Sequence, residues 1–153
     1  IYVHFGGKRE ILFAVIQGSL EEICQTVVKL TDSKRPFLER FRELVGEILR
    51  LFKTNQDIFR VITMEKEKLI QSLEESQDTK ANAVLADFLA PGMKEGILRK
   101  TNASEAAYVL QAIIQTFMFQ WFFSDFTLPI KDKTDVILEY YLYGMLKEKE
   151  GGI

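Results

Sequence analysis

At 153 residues and 17.7 kDa the chain has the length of one domain. With 47% hydrophobic and 27% charged residues it can bury a core, and 3 prolines with 9 glycines are too few for a loop-rich sandwich or a collagen-like chain. One cysteine, Cys24, excludes an internal disulfide framework and a multi-cysteine zinc site, while one histidine, His4, leaves hardly any material for a Ser-His-Asp catalyst.

Charge is unevenly placed. Of 20 basic and 22 acidic residues, only Lys8 and Arg9 fall in the first nine positions, so the net −2 divides into a basic start and an acidic body from Glu10 onward. Such a body does not attract a polyanion by itself. The chain shows no signal-peptide pattern, as a cytoplasmic protein would, and its start at Ile1 rather than Met suggests a processed, truncated or incompletely observed protein. Phe supplies 12 aromatics against 5 Tyr and 1 Trp, a surplus that needs a destination.

The apolar period is helical almost throughout. From Lys8 to about Lys29, the residues Ile11, Leu12, Val15, Ile16, Leu20, Ile23 and Val27 fall three and four apart on one face. Thr31, Asp32 and Ser33 break the stripe and offer N-caps, and Pro36 suits the first turn of a second helix. That helix carries Phe37, Leu38, Phe41, Leu44, Val45, Ile48, Leu49 and Phe52 and ends near Asn55. A third segment, about Gln56 to Glu75, starts apolar and turns charged at Glu65 to Lys68. A fourth, about Thr79 to Glu95, contains Pro91 and Gly92, which predict a kink or an early stop. Asn102 with Glu105 resembles a capping box for a fifth helix, about Ser104 to Phe126, and Thr127, Leu128 and Pro129 end it. Asp132 caps a last helix through Val136, Ile137, Tyr140, Tyr141, Tyr143 and Gly144 to Leu146. The expectation is an all-α fold of five to six helices.

Ala106 to Ser124 holds no charged residue, nearly the ~20 positions that cross a bilayer. Gln111, Gln115 and Gln120 would lie unpaired in lipid, so no membrane partner is expected. A small domain has limited core for a helix apolar on every side. One face carries Leu110, Ile113, Ile114, Phe117 and Trp121, and the other carries Tyr108, Ala112, Thr116, Phe119 and Phe123. The first face suits the subunit's own core. The second, with Ile137, Tyr140, Tyr141 and Tyr143 of the last helix, suits a homodimer four-helix bundle.

At the start, Gly6-Gly7 closes one fragment, and Gly7 would cap a helix that opens on Lys8. Gly offers no side-chain oxygen to the free first-turn amides, so those amides, Lys8, Tyr2 and His4 make a plausible phosphate site; equally, Gly6-Gly7 is a simple turn and Phe5 a core plug.

The run Ile1-Tyr2-Val3-His4-Phe5-Gly6-Gly7-Lys8-Arg9-Glu10-Ile11-Leu12 resembles the end of the DNA-binding domain of TetR-family transcriptional regulators. That family's pattern reads approximately Leu/Ile-Tyr-aromatic-His/Tyr-Phe-x-x-Lys-x-x-Leu, and Val3 departs from it. The resemblance implies that Tyr2, His4 and Lys8 contact DNA phosphates, that Phe5 packs, and that Leu12 locks the long linking helix. It also covers the helical layout that follows, with Gly96-Ile97-Leu98-Arg99 and Ala106-Ala107 before the long helix. Residues 1–7 would then be a remnant of a helix-turn-helix domain and 8–153 a ligand-binding and dimerisation domain. Readout of bases needs side chains that would precede Ile1, so operator DNA is a partner of the full-length protein.

In such a body the Phe surplus can wall an apolar effector cavity. Candidates are Phe41, Leu44, Ile48, Phe59, Ile62, Met64, Leu85, Phe88, Phe117 and Trp121, with Gln115 and Gln120 to orient a small, mostly hydrophobic effector. The alternative is that these residues simply fill a core. No cofactor is implied. Three functions compete: a ligand-responsive DNA-binding regulator, acting as a repressor; a helical homodimeric interaction module without a ligand; and an enzyme. Glu65, Glu67 and Asp87 supply carboxylates for the last, but no Glu-x-x-His pair exists, so a non-enzymatic role is expected.

Overall fold

The structure is a computed structural model that describes residues 7–57, 60, 67–125, 127, 129 and 133–144. Tyr2, His4, Phe5, Phe59, Ile62, Met64 and Asp132 lie outside the described residues, as does the proposed 1–6 part of a DNA-binding remnant. Five helices are described: α1 (Lys8–Thr31), α2 (Phe37–Thr54), α3 (Glu67–Lys94), α4 (Ala103–Phe123) and α5 (Lys133–Tyr143). No strand occurs among the described residues.

Helix α1 starts as its sequence predicts. Gly7 is the N-cap and contributes no side-chain hydrogen bond, and its carbonyl accepts from the Glu10 and Ile11 amides at 3.1 and 3.3 Å. Cys24, Val27 and Leu30 are buried, whereas Ile11, Val15 and Val28 are exposed. Among the described side chains of the predicted stripe, Val27 is buried, Leu20 and Ile23 are half-buried, and Ile11 and Val15 are exposed. Pro36 precedes α2 as its N-cap with extended ψ and is not in the first helical turn, because a residue that enters a helix from a loop keeps non-helical angles. Helix α2 is the most amphipathic of the set and buries Phe37, Phe41, Leu44, Val45, Ile48 and Leu49. Leu38 faces outward.

The third and fourth predicted segments are divided differently. Glu67 to Lys94 forms one helix through Ser76-Gln77-Asp78-Thr79, since these polar residues cost only tenths of a kcal/mol each in a helix interior and none forces a break. Pro91 and Gly92 also stay inside it. The stop comes one turn later at Gly96, whose φ of 78° is the left-handed conformation favoured by glycine. Its amide donates to Met93 O at 3.2 Å and the Ile97 amide to Gly92 O at 2.9 Å, the paired bonds of a Schellman ending. Gly92 is needed for another reason: a Cβ there would sit 2.7 Å from Cζ of Phe37.

Asn102 caps α4, its side-chain oxygen accepting from the Glu105 amide at 3.0 Å, as the sequence suggests. The helix ends at Phe123, short of the predicted Phe126, where Ser124 is the C-cap and Asp125 turns to a φ of 54°. By length and composition α4 is apolar enough to cross a bilayer. In this fold it lays Ala107, Leu110, Ile114, Met118 and Trp121 into the protein core. Chain order and packing give an α1–α2 hairpin beside an α3–α4 hairpin, with α1 against α3 and with α5 lying on α2 and α4. Full burial of a side chain such as Phe41 or Leu44 stabilises the fold by about 1.5–3 kcal/mol.

Candidate functional site

The aromatic residues converge where α2, α3 and α5 meet. Phe37, Phe41 and Phe88 form a triangle with ring centroids 5.4–5.8 Å apart, and Tyr141 meets Phe41 edge-on at 5.5 Å. These tilted and edge-on arrangements suit the ring quadrupoles. The Tyr141 hydroxyl donates to Ala106 O at 2.9 Å and so fastens α5 to the first turn of α4. Burial pushes the Tyr141 phenol up to about 12, with the charge of Arg99 opposing, so it is a neutral donor.

Of the predicted effector residues, Phe41, Leu44, Ile48, Leu85, Phe88 and Trp121 are gathered in this one core, with Phe117 packed at its edge. The two glutamines go elsewhere. Gln115 and Gln120 are exposed on α4, because they sit between the positions of its buried stripe. They do not point into the aromatic cluster, and the expectation that they orient an effector there is corrected.

The buried polar groups are others. Arg40, 5% exposed, lies under the cluster: Nε donates to Arg35 O at 2.8 Å and Nη1 to Leu30 O at 3.0 Å and Thr31 O at 3.3 Å. Its guanidinium stands 5.6 and 5.8 Å from the Phe37 and Phe88 ring centroids. Asn82 is the second. Its amide nitrogen donates to Ser104 Oγ at 2.7 Å, and its oxygen accepts from Gln111 Nε2 at 2.9 Å. This clasp sits in the α3–α4 seam. Neither residue was singled out from the sequence, although Arg40 interrupts no pattern except that it falls on the apolar side of α2 beside Phe37 and Phe41.

The second face of α4 is laid open. Tyr108, Ala112, Thr116, Phe119 and Phe123 are exposed, as are Tyr140 and Tyr143 of α5, with Phe123 77% and Tyr143 75% accessible. Phe119 and Phe123 stack at 6.2 Å, and Phe122 meets Phe123 edge-on at 5.5 Å. Ile137 and Tyr141 depart from the predicted interface. Ile137 is wholly buried and Tyr141 half-buried in the subunit's own core, because an 11-residue helix turns only one side to α2 and α4.

Lys8, the predicted phosphate contact that falls within the described chain, opens α1 directly after Gly7. Elsewhere an open groove of about 290 Å3 runs between α1 and α3, lined by apolar Cys24, Val28 and Val84 and by Glu21, Gln25, Lys29 and Lys80. The Lys80 Nζ donates to Glu21 at 2.5 Å, which holds the Glu21 carboxyl below its usual range and the Lys80 ammonium above its own. Burial pushes the Cys24 thiol up, against the opposing charge of Lys80, so the thiolate is disfavoured. Among the described residues no group of three or more His, Cys, Asp or Glu side chains could hold a metal ion.

No family model and no curated protein matches the sequence. Solved structures do match. A Clostridium perfringens protein named as a candidate fatty acid metabolism regulator superposes with a TM-score of 0.78 at 18% identity, over 96% of this chain and 81% of that one. A candidate TetR-family transcriptional regulator from Syntrophomonas wolfei gives 0.74 at 16% identity, over 92% and 73% of the two chains. The TetR-family transcriptional regulator PfmR from Thermus thermophilus gives 0.74 at 19% identity, over 95% and 81%. The chain has the all-α fold of TetR-family regulators.

Proposed function

We propose that the chain is the regulatory and dimerisation part of a ligand-responsive, DNA-binding transcriptional regulator, cytoplasmic and without catalytic activity. The observation that carries this reading is the match of more than nine-tenths of the chain to regulators of that fold. Residues 1–7 then close a helix-turn-helix domain in which Tyr2, His4 and Lys8 touch DNA phosphates, and 8–153 senses the effector and dimerises. The open aromatic face of α4 and α5 supports a two-fold bundle, since obligate homodimer interfaces are apolar and aromatic-rich.

The effector binds at the aromatic cluster and is mostly hydrophobic, because the cluster offers rings and aliphatic carbons and one buried cation already satisfied by carbonyls. The name of the Clostridium perfringens protein concerns fatty acid metabolism, which makes medium-chain and long-chain fatty acids the first compounds to test. Phe41 and Phe88 are fully buried, so an effector must select a state in which these rings part. It shifts the population by its differential affinity for that state, altering the spacing of the DNA-binding heads and relieving repression.

The closed packing of that cluster favours a second reading, a helical homodimeric interaction module without a ligand. One experiment separates the two. The full-length protein is titrated onto DNA from its own upstream region in a mobility-shift assay, with and without a fatty-acid series. A shift reversed by a hydrophobic compound supports the regulator. A dimer that shifts no fragment, and whose melting temperature no hydrophobic compound raises, supports the interaction module.

A further inference from the structure

The last turn of a helix leaves carbonyls short of partners; at the end of α1 Leu30 is buried, Thr31 is half-buried, the C-cap Asp32 is exposed, and the Ser33 amide reaches Leu30 O at 3.3 Å. Arg40 meets this need from the next helix. Its guanidinium accepts nothing and donates to Leu30 O and Thr31 O of the α1 terminus and to Arg35 O of the connecting loop. Among the described residues no carboxylate pairs with it. The compensation for its buried charge is the negative end of the α1 dipole, the carbonyl oxygens and two ring faces. Those rings belong to different helices, Phe37 to α2 and Phe88 to α3. One side chain therefore touches the end of α1, the loop, the start of α2 and the C-terminal part of α3.

We infer that Arg40 is the positioning residue that sets the angle of α1 on the bundle and carries movement of the aromatic cluster to it. The planar fork fixes three carbonyl directions at once. A ring that moves under the fork changes where the guanidinium can sit, and the α1 carbonyls must follow it. Lysine has the charge without the fork, so it cannot hold the same geometry. This inference deepens the effector reading above and rests on it for its purpose, but its test needs neither effector nor DNA.

The test measures α1 orientation by the distance between two spin labels. These are placed at Gly18→Cys, where a side chain meets open space, and at exposed Lys53→Cys on α2. The background is Cys24→Ala, and labelled chain is diluted with unlabelled chain so that one subunit is read at a time. Arg40→Met is expected to shift and broaden the distance distribution, Arg40→Lys to do so less, and the exposed control Arg42→Met to leave it unchanged. Phe88→Leu should also shift the distribution, and that shift should vanish when Arg40 is already Met, since the message passes through the guanidinium. Should Arg40→Met fail to fold, Arg40→Lys decides the matter in the same assay. An unchanged distribution in the folded Arg40 variant, with only a lower melting temperature, would make Arg40 a structural staple and overturn the inference. So would a Phe88→Leu shift that persists without the guanidinium.

Discussion

Gly92 shows how a single hydrogen atom in place of a side chain can decide packing. The Phe37 ring lies against its α-carbon, hemmed in by Phe41, Phe88 and Arg40, so an added methyl at 2.7 Å cannot be absorbed by turning the ring away. Gly92→Ala should therefore destabilise by about 1–3 kcal/mol despite its better helix propensity, read as a lower denaturation midpoint with an unchanged slope. Tyr141 makes a second residue-scale prediction. Its phenol holds its proton more tightly when folded, up to about 12 against the usual 10, so the contribution is fully present below pH 10 and is lost as pH rises from about 10 to 12. Tyr141→Phe should remove that alkaline decline, at a cost near neutral pH of about 0.5–1.5 kcal/mol for the lost bond to Ala106 O. Ultraviolet titration should also show the Tyr141 phenol ionising late, towards pH 12. The thiol of Cys24, buried and pushed up, should react with a disulfide reagent only slowly until the protein unfolds.

At the scale of the element, two helix N-termini were legible in the sequence, while other ends were shifted, as at Pro36 and Phe123. Gly7 and Asn102 follow from local chemistry, because a cap is satisfied by residues within one turn of it, whereas the sequence pointed to Pro91-Gly92 and the stop lies at Gly96. The interior of α3 was not legible. Its polar stretch at Ser76 to Thr79 reads as a boundary, yet these residues cost only tenths of a kcal/mol each inside a helix and do not end it. The seam of α3 with α4 holds the polar clasp that no spacing rule reveals, since Asn82 lies 22 and 29 residues from its partners Ser104 and Gln111. Asn82→Ala should strand the Gln111 amide in that seam and cost about 1–3 kcal/mol, whereas Asn102→Ala at the exposed cap should cost about 1 kcal/mol. Chemical denaturation of the two variants side by side checks the order. The exposed Lys80–Glu21 pair should matter little to stability at physiological salt.

For the whole molecule the decisive quantity is the apolar surface left outside. Helix α4 buries one stripe and leaves a second open, with Phe119 and Phe123 on it. Under the dimer proposal, replacing both with Glu should halve the mass seen by light scattering, towards the 17.7 kDa chain, with helical circular dichroism largely retained. A wild-type chain that already scatters as a monomer at every concentration would count against it. The same substitutions in Ile137 or Tyr141 should instead unfold the subunit, because those two side chains belong to its own core.

By itself the sequence determined the helical class, the two-sided character of α4 and the Asn102 cap that opens it. Period and capping are properties of neighbours within a few residues, and a chain states them directly. Only the tertiary structure decided how the faces are assigned. Gln115 and Gln120 go outward, Ile137 and Tyr141 inward, and Arg40 beneath the rings, because burial depends on which helices meet and at what point. That is set by contacts between residues distant in sequence. Among the described residues, the surplus of Phe, visible from composition alone, is found in a closed aromatic core and on an open face of α4.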